Sequence, residues 1–137
     1  MLEAVRAHAA EGYPDEVCGI LAGPLGSDLA VEAHRVRNTV VDRSRDRYLM
    51  DPRDQIRIER DCDARQMAVV GYYHSHPDHP AQASPTDAEA AWAGPGYLIV
   101  SCYGGEPGEA NLFVAEQDGG PMRQEEYGIV EGAQERS

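Results

Sequence analysis

The sequence contains no lysine, and all 12 of its basic residues are arginine. A Schiff-base lysine, a pyridoxal-phosphate anchor and a phosphate-loop lysine are therefore excluded. Positive charge is scarce overall, since 24 acidic residues among 137 give the chain a formal net charge of −12. Nucleic acids and anionic membranes attract clustered positive charge, so this balance argues against both as partners. Excess carboxylates with arginine in place of lysine fit either a GC-rich genome or a salt-adapted host, and neither reading indicates a function.

Long apolar runs and paired cysteines are also absent. No apolar run approaches the roughly 18 residues of a membrane span, and the N-terminus lacks the basic-then-apolar layout of a signal peptide. We therefore expect a cytoplasmic protein. The three cysteines, Cys18, Cys62 and Cys102, lie far apart and form no C-x-x-C pair. This usage is typical of reduced, buried thiols rather than of a disulfide framework or a cysteine-rich zinc site.

The length of the chain fits one domain, which we place at residues 1–131, followed by a small, polar tail over 132–137 that we expect to fray. Apolar periodicity and capping residues predict helices over residues 2–12, 51–65 and 84–92. Apolar runs and alternation predict strands over residues 17–23, 29–37, 67–73, 97–103 and 110–116. Strands that alternate with helices and end in a hairpin indicate an α/β fold, with helices flanking a sheet.

The most informative stretch of the sequence runs from His74 to Asp87 and reads H-S-H-P-D-H-P-A-Q-A-S-P-T-D. His74 and His76 stand two residues apart at the end of a predicted strand, so their side chains point to the same side. Their imidazoles can therefore converge on one ion, and the following loop brings Asp87 round as a candidate oxygen ligand. Two nitrogens and one carboxylate leave a fourth tetrahedral position for water, which is typical of catalytic rather than structural zinc sites.

Hydrolysis by a metal-bound water also needs a nearby group that accepts its proton. Glu16, at the mouth of the first buried strand, is the strongest candidate, although it lies 58 residues before His74. The neighbouring carboxylate, Asp15, could equally cap a helix or a turn. The two-residue offset from Glu16 to the Cys18-Gly19 pair favours Glu16 as the catalytic residue. Ser84 could donate a hydrogen bond to an oxyanion or cap the helix that carries Asp87, and the two roles can coexist.

Together these residues resemble the JAMM, or MPN-plus, metallopeptidase family. The family pattern is E-x-C/M-G-x-L-x-G, followed by H-x-H-P and, after a fixed interval, S-x-x-D. This chain has E-V-C-G-I-L-A-G from Glu16, H-S-H-P from His74 and S-P-T-D from Ser84, and the spacing matches. The resemblance covers residues 2–116. Ala83 stands where many members have proline, a departure that we expect to affect loop stiffness more than chemistry.

The resemblance implies a fold, a metal and a role for each motif residue. The implied fold is a mixed, curved β-sheet flanked by helices, an architecture similar to that of the cytidine deaminases. Zn²⁺ would be held by His74, His76 and Asp87. Glu16 would serve as general base and then general acid, and Ser84 would stabilise the tetrahedral intermediate.

The resemblance also implies a substrate class. Family members hydrolyse peptide or isopeptide bonds after the Gly-Gly tail of ubiquitin or ubiquitin-like proteins. The bacterial stand-alone members look like enzymes that remove a C-terminal cysteine or short extension from small sulfur-carrier proteins. Eukaryotic members grip ubiquitin with inserted segments, and the interval from His74 to the C-terminus is too short for large insertions. We therefore expect this sequence to resemble the minimal bacterial form.

Two functions other than a zinc peptidase acting on a carrier tail are also consistent with the fold. One is a non-catalytic MPN-type scaffold, which the sequence disfavours because scaffold members lack one or more ligands and this chain lacks none. The other is a hydrolase of small amides, which would use the same metal chemistry without a protein partner.

Overall fold

Three helices and six strands make up the described part of the computed structural model, residues 1–40 and 47–128. The helices are α1 (Leu2–Gly12), α2 (Pro52–Ala64) and α3 (Pro85–Ala90). The strands are β1 (Cys18–Pro24), β2 (Glu32–Val36), β3 (Met67–Pro77), β4 (Gly96–Tyr103), β5 (Glu106–Ala115) and β6 (Met122–Glu125). The tail expected to fray over 132–137 lies outside the described residues. Within the described ranges no helix is long and apolar enough to cross a bilayer.

The six strands form one open, mixed sheet in the order β2-β1-β3-β4-β5-β6. Strands β3 and β4 are parallel, and every other neighbouring pair is antiparallel. A parallel pair needs a crossover connection, and the segment that contains α3 supplies it. The expected α/β class with a mixed sheet is confirmed, and this crossover is what brings α3 to the end of β3.

The two faces of the sheet are covered by different helices. On one face Tyr73 of β3 packs in a cluster with Val5 and Ala9 of α1. On the other face the buried side chains of α2 pack against β1 and β3. Because side chains alternate along a strand, His74 and His76 share one face of the sheet and Ser75 points to the other. The ring of His74 stacks on Tyr48, which packs against the α2-side cluster, so both histidines lie on the α2 face.

Several element bounds differ from the sequence prediction, each for a local reason. Strand β3 continues through both histidines to Pro77, since the sheet pairs on both of its sides there. Helix α3 ends at Ala90, and Trp92 beyond it is 64% exposed. Strand β6 was not predicted at all, because its residues Met-Arg-Gln-Glu are largely exposed and lack apolar alternation. Main-chain pairing with β5 alone defines it.

A buried contact joins α1 to the centre of the sheet. The helical pattern places His8 on the polar face of α1 and predicts a solvated side chain, and the structure corrects this. His8 is half-buried, with its Nδ1 2.7 Å from the Tyr73 hydroxyl. Gly19 makes room for the Tyr73 ring, since a Cβ at this glycine would lie 2.1 Å from it. Burial, with a smaller effect of Arg35, lowers the pKa of His8 from 6.5 to about 4.

The lowered pKa of His8 predicts a pH-dependent stability. The contribution of the neutral ring is fully present above pH 6.5 and is lost as the pH falls from 6.5 to about 4, because only the unfolded chain takes up the proton in that range. We expect the free energy of unfolding of the wild type to fall more steeply over this range than that of His8→Gln. Urea unfolding at a series of pH values measures both slopes, and equal slopes would contradict the assignment.

Candidate metal centre

The proposed ligands come from the end of β3 and the first turn of α3. His74 and His76 are nearly inaccessible, at 1% and 9% exposure, because β1 and β4 flank β3 at this point. Pro77 is the last residue of β3, and the loop that follows leads to α3. Asp87 lies in the first turn of that helix. The structure therefore brings together the three residues that the sequence predicts as ligands.

The donor atoms of these three residues face one another. The two Nε2 atoms of His74 and His76 are 3.2 Å apart. The carboxylate of Asp87 places Oδ1 3.1 Å from Nε2 of His74 and Oδ2 3.1 Å from Nε2 of His76. Tetrahedral ligands at about 2.0–2.1 Å from a zinc ion lie about 3.3 Å from each other, close to the observed separations. The cluster can therefore hold a metal ion, with one ligand atom from each residue.

Hydrogen bonding identifies which ring nitrogen of His76 is available to a metal. Nδ1 of His76 lies 2.9 Å from the carbonyl oxygen of Pro80. A carbonyl only accepts, so Nδ1 carries the hydrogen and donates it, which leaves a lone pair on Nε2. That lone pair points toward the other two donor atoms. Three electron-rich atoms in such close contact are stabilised by a shared cation, whereas without one they repel.

The electrostatics of the cluster favour a neutral ring at His74 and an ionised carboxylate at Asp87. Burial lowers the pKa of His74 and keeps its ring neutral. Burial alone would raise the pKa of Asp87, but the two adjoining histidines hold it well below its usual range. Burial alone would lower the pKa of His76, but Asp87, the Pro80 carbonyl and the charge of Glu16 together raise it. The buried carboxylate of Asp87 thus favours positive charge beside it.

A capping box orients the carboxylate of Asp87. The main-chain N–H of Asp87 donates to Oγ of Ser84 over 3.0 Å, and the main-chain N–H of Ser84 donates to Oδ2 of Asp87 over 2.9 Å. The predicted role of Ser84 as helix N-cap is therefore confirmed. As a cap the hydroxyl accepts, and its own hydrogen remains able to donate elsewhere.

Strand pairing brings Glu16 to the histidines. Val17 and Ser75 pair directly, with Ser75 N donating to Val17 O over 3.0 Å and Val17 N donating to Ser75 Oγ over 2.9 Å. Glu16 directly precedes Val17, and its charge acts on His76, where it raises the pKa. Glu16 is only 6% exposed, whereas Asp15 is exposed. Of the two neighbouring carboxylates, Glu16 is the one that faces the site.

Two residues that support the site were not predicted from the sequence. The ring of Tyr48 stacks on His74, with centroids 4.6 Å apart and an interplanar angle of 28°. The side chain of Asn38 donates to the main-chain oxygen of Glu16 over 3.0 Å. Both lie in or beside a polar segment without periodicity. The one available signal was that Tyr48 is the only aromatic residue between Asn38 and the start of α2.

Comparison with known families and sequences points to one group of proteins. A profile described as prokaryotic homologs of the JAB domain matches residues 1–115. A desampylase of Haloferax volcanii is 38% identical over 104 residues, which are 72% of this chain and 74% of the relative. A CysO-cysteine peptidase of Mycobacterium tuberculosis is 35% identical over 135 residues, which are 97% of this chain and 81% of the relative.

Solved structures resemble the fold over most of its length. The solution structure of a protein from Desulfitobacterium hafniense superposes with a TM-score of 0.76 at 31% identity, covering 91% of this chain and 85% of the other. The crystal structure of a JAB1/MPN domain protein from Archaeoglobus fulgidus gives a TM-score of 0.61 at 19% identity, covering 94% and 91%. The latter likeness concerns the fold alone and identifies the six-stranded sheet with its helices as a JAB1/MPN fold.

Proposed function

This chain belongs to the family of prokaryotic homologs of the JAB domain, and we propose that it is a zinc metallopeptidase acting on a ubiquitin-like or sulfur-carrier protein. In this proposal it cleaves the peptide or isopeptide bond that follows the Gly-Gly tail of that partner. The observation that carries the proposal is that His74, His76 and Asp87 each offer one ligand atom, and these atoms all lie within 4.8 Å of one another. The names of the two relatives, a desampylase and a CysO-cysteine peptidase, support the substrate class.

The donor set suits zinc. Neutral imidazole nitrogens and a carboxylate oxygen are common zinc ligands, although they also suit other divalent metals. Three protein ligands leave a position for water or substrate, as catalytic sites require. When bound there, zinc supplies Lewis acidity to the scissile carbonyl and to the attacking water. The contribution of the protein is to hold the three donors close together in a site where both histidines are nearly inaccessible.

Glu16 is assigned the proton transfers. Its carboxylate takes a proton from the attacking water as the new C–O bond forms, and it passes that proton to the leaving amine as the C–N bond breaks. Two observations support this assignment: Glu16 directly precedes Val17, which is hydrogen-bonded to the residue between the two histidines, and its charge raises the pKa of His76. It stands outside the group of residues that could hold a metal ion.

Ser84 is assigned to the oxyanion. Its hydroxyl accepts from the main chain of Asp87, which fixes the oxygen atom beside a ligand of the site. The hydroxyl hydrogen can then point away from the helix toward the oxygen that becomes negative in the tetrahedral intermediate. One such donor typically contributes a factor of about 10²–10³ to kcat.

The proposal is tested with carrier proteins from the same genome, each extended beyond its Gly-Gly end by cysteine or a short peptide. Mass spectrometry follows the products of the zinc-loaded protein with and without a chelator. We expect release of the extension, loss of this activity with the chelator and recovery with added Zn²⁺. Turnover of small amides without cleavage of any carrier would instead identify an amide hydrolase. A folded protein that retains no stoichiometric zinc and cleaves neither would be a scaffold.

A further inference from the structure

The second ring nitrogen of His74 has no hydrogen-bond partner. Metal-ligating histidines almost always donate their other N–H to a carboxylate, carbonyl or water, and this bond fixes the orientation of the ring. His76 follows the rule through the carbonyl of Pro80. Nδ1 of His74 does not: among the described residues it is the one buried side-chain nitrogen or oxygen without a partner. The orientation of this ring therefore depends on packing.

Tyr48 supplies that packing. Its ring lies nearly parallel to the imidazole of His74, with the centroids 4.6 Å apart. Tyr48 is half-buried and packs against the cluster on the α2 side of the sheet, which includes Cys18 and Ile58. The stack therefore rests on the buried layer between the sheet and α2. The imidazole of His76, tilted by 53° at 5.0 Å, limits His74 in another direction.

Asn38 anchors the main chain that carries Tyr48. Its Nδ2 donates to the carbonyl of Arg47 over 3.2 Å, and its Oδ1 accepts from the main-chain N–H of Leu49 over 3.0 Å. These two bonds enclose Tyr48 on both sides. The same amide accepts from Val40 N and donates to Glu16 O, each over 3.0 Å, so both donor hydrogens and both acceptor positions of the side chain are used.

We propose that Tyr48 and Asn38 are positioning residues of the metal centre: the Tyr48 ring fixes the imidazole of His74 by stacking, in place of the missing hydrogen bond, and Asn38 fixes Tyr48 relative to Glu16. A single side chain thus ties the support of a metal ligand to the main chain of the residue assigned to proton transfer. This inference rests on the metal site of the proposed function and concerns metal affinity rather than substrate.

Removal of the ring at position 48 tests the stack. Zn²⁺ affinity is measured by competition with a chromophoric chelator, without substrate. We expect Tyr48→Leu to weaken Zn²⁺ affinity about 10–100-fold, the usual effect of removing a residue that supports a metal-ligating side chain. Tyr48→Phe keeps the ring and is expected to stay within about twofold of wild type, with an unchanged absorption spectrum of bound Co²⁺. Wild-type affinity in a folded Tyr48→Leu, or an equal loss in Tyr48→Phe, would overturn the proposal.

Variants of the anchor keep the test decisive if Tyr48→Leu does not fold. Asn38→Ala should weaken Zn²⁺ binding in the same direction, by up to about 10-fold. Thr39→Val is the matched control, because it removes one exposed hydrogen bond to the same segment, from Oγ1 to Leu49 O, without touching Glu16. Equal affinities for Asn38→Ala and Thr39→Val would count against the anchor.

The outcome separates this inference from the proposed function. Tight zinc binding that depends on the Tyr48 ring, in a protein that cleaves no carrier tail, would overturn the proposed substrate and support the positioning role. Absence of zinc binding in the wild type would overturn both.

Discussion

Glu16→Gln is expected to lose hydrolysis by a factor of about 10²–10⁴ while its zinc content stays close to that of the wild type. Glutamine preserves the shape of the side chain but cannot take a proton from water at neutral pH. The three residues that can share a metal ion do not include Glu16, so their donor atoms stay in place. Turnover of a tail-extended carrier and metal analysis by mass spectrometry measure the two quantities on the same sample.

Asp15→Asn is the control for this experiment. It makes the same change of charge one residue earlier, at a side chain that is exposed rather than buried. We expect its turnover to stay near that of the wild type. Wild-type turnover in Glu16→Gln would show that another group accepts the proton, and a selective loss in Asp15→Asn would identify that neighbour as the base.

His76→Ala is expected to lose both zinc and hydrolysis. The substitution removes one of three donors and leaves His74 and the main-chain N–H of Ser84 as partners of the Asp87 carboxylate. Because a direct ligand is lost, metal affinity should fall by more than the roughly 10–100-fold cost of an outer partner. Metal content after dialysis and cleavage of the extended carrier provide the measurements.

His79→Ala serves as the matched control, since His79 lies in the loop directly after β3 and is exposed. It stands outside the cluster that can hold a metal, so zinc content and turnover should both be retained. Full zinc occupancy in His76→Ala would contradict the ligand assignment, and loss of zinc in His79→Ala would indicate that the loop contributes a ligand.

The part of the site formed by local sequence could be predicted. Alternation along a strand is enough to place His74 and His76 on one side, and the Ser-Pro-Thr-Asp start of α3 is a recognisable capping sequence that fixes where Asp87 points. Residues 17–23 are a continuous apolar run, and β1 is buried on both faces as that run indicates. In each case the signal and the structure it specifies lie within a few residues of each other.

The remainder depended on contacts between distant segments. The position of Glu16 near His76 depends on the register between β1 and β3. The family resemblance implied this position, but no local sequence pattern specifies the register. Asn38 acts through its amide on main-chain atoms, so no side-chain periodicity reveals it. The contact between His8 and Tyr73 depends on the absence of a side chain at Gly19, a space that becomes visible only when α1 has packed on the sheet.

The pairing of β1 with β3 also governs when a newly made chain could become active. The hydrogen bonds between Val17 and Ser75 close a loop across 58 positions, and Asp87 joins still later in synthesis. Contacts of this range form late in folding, after the cost of closing the loop has been met. A nascent or partly unfolded chain therefore holds the acid and the two imidazoles apart. The proposed hydrolysis therefore requires the completed pairing of these distant segments.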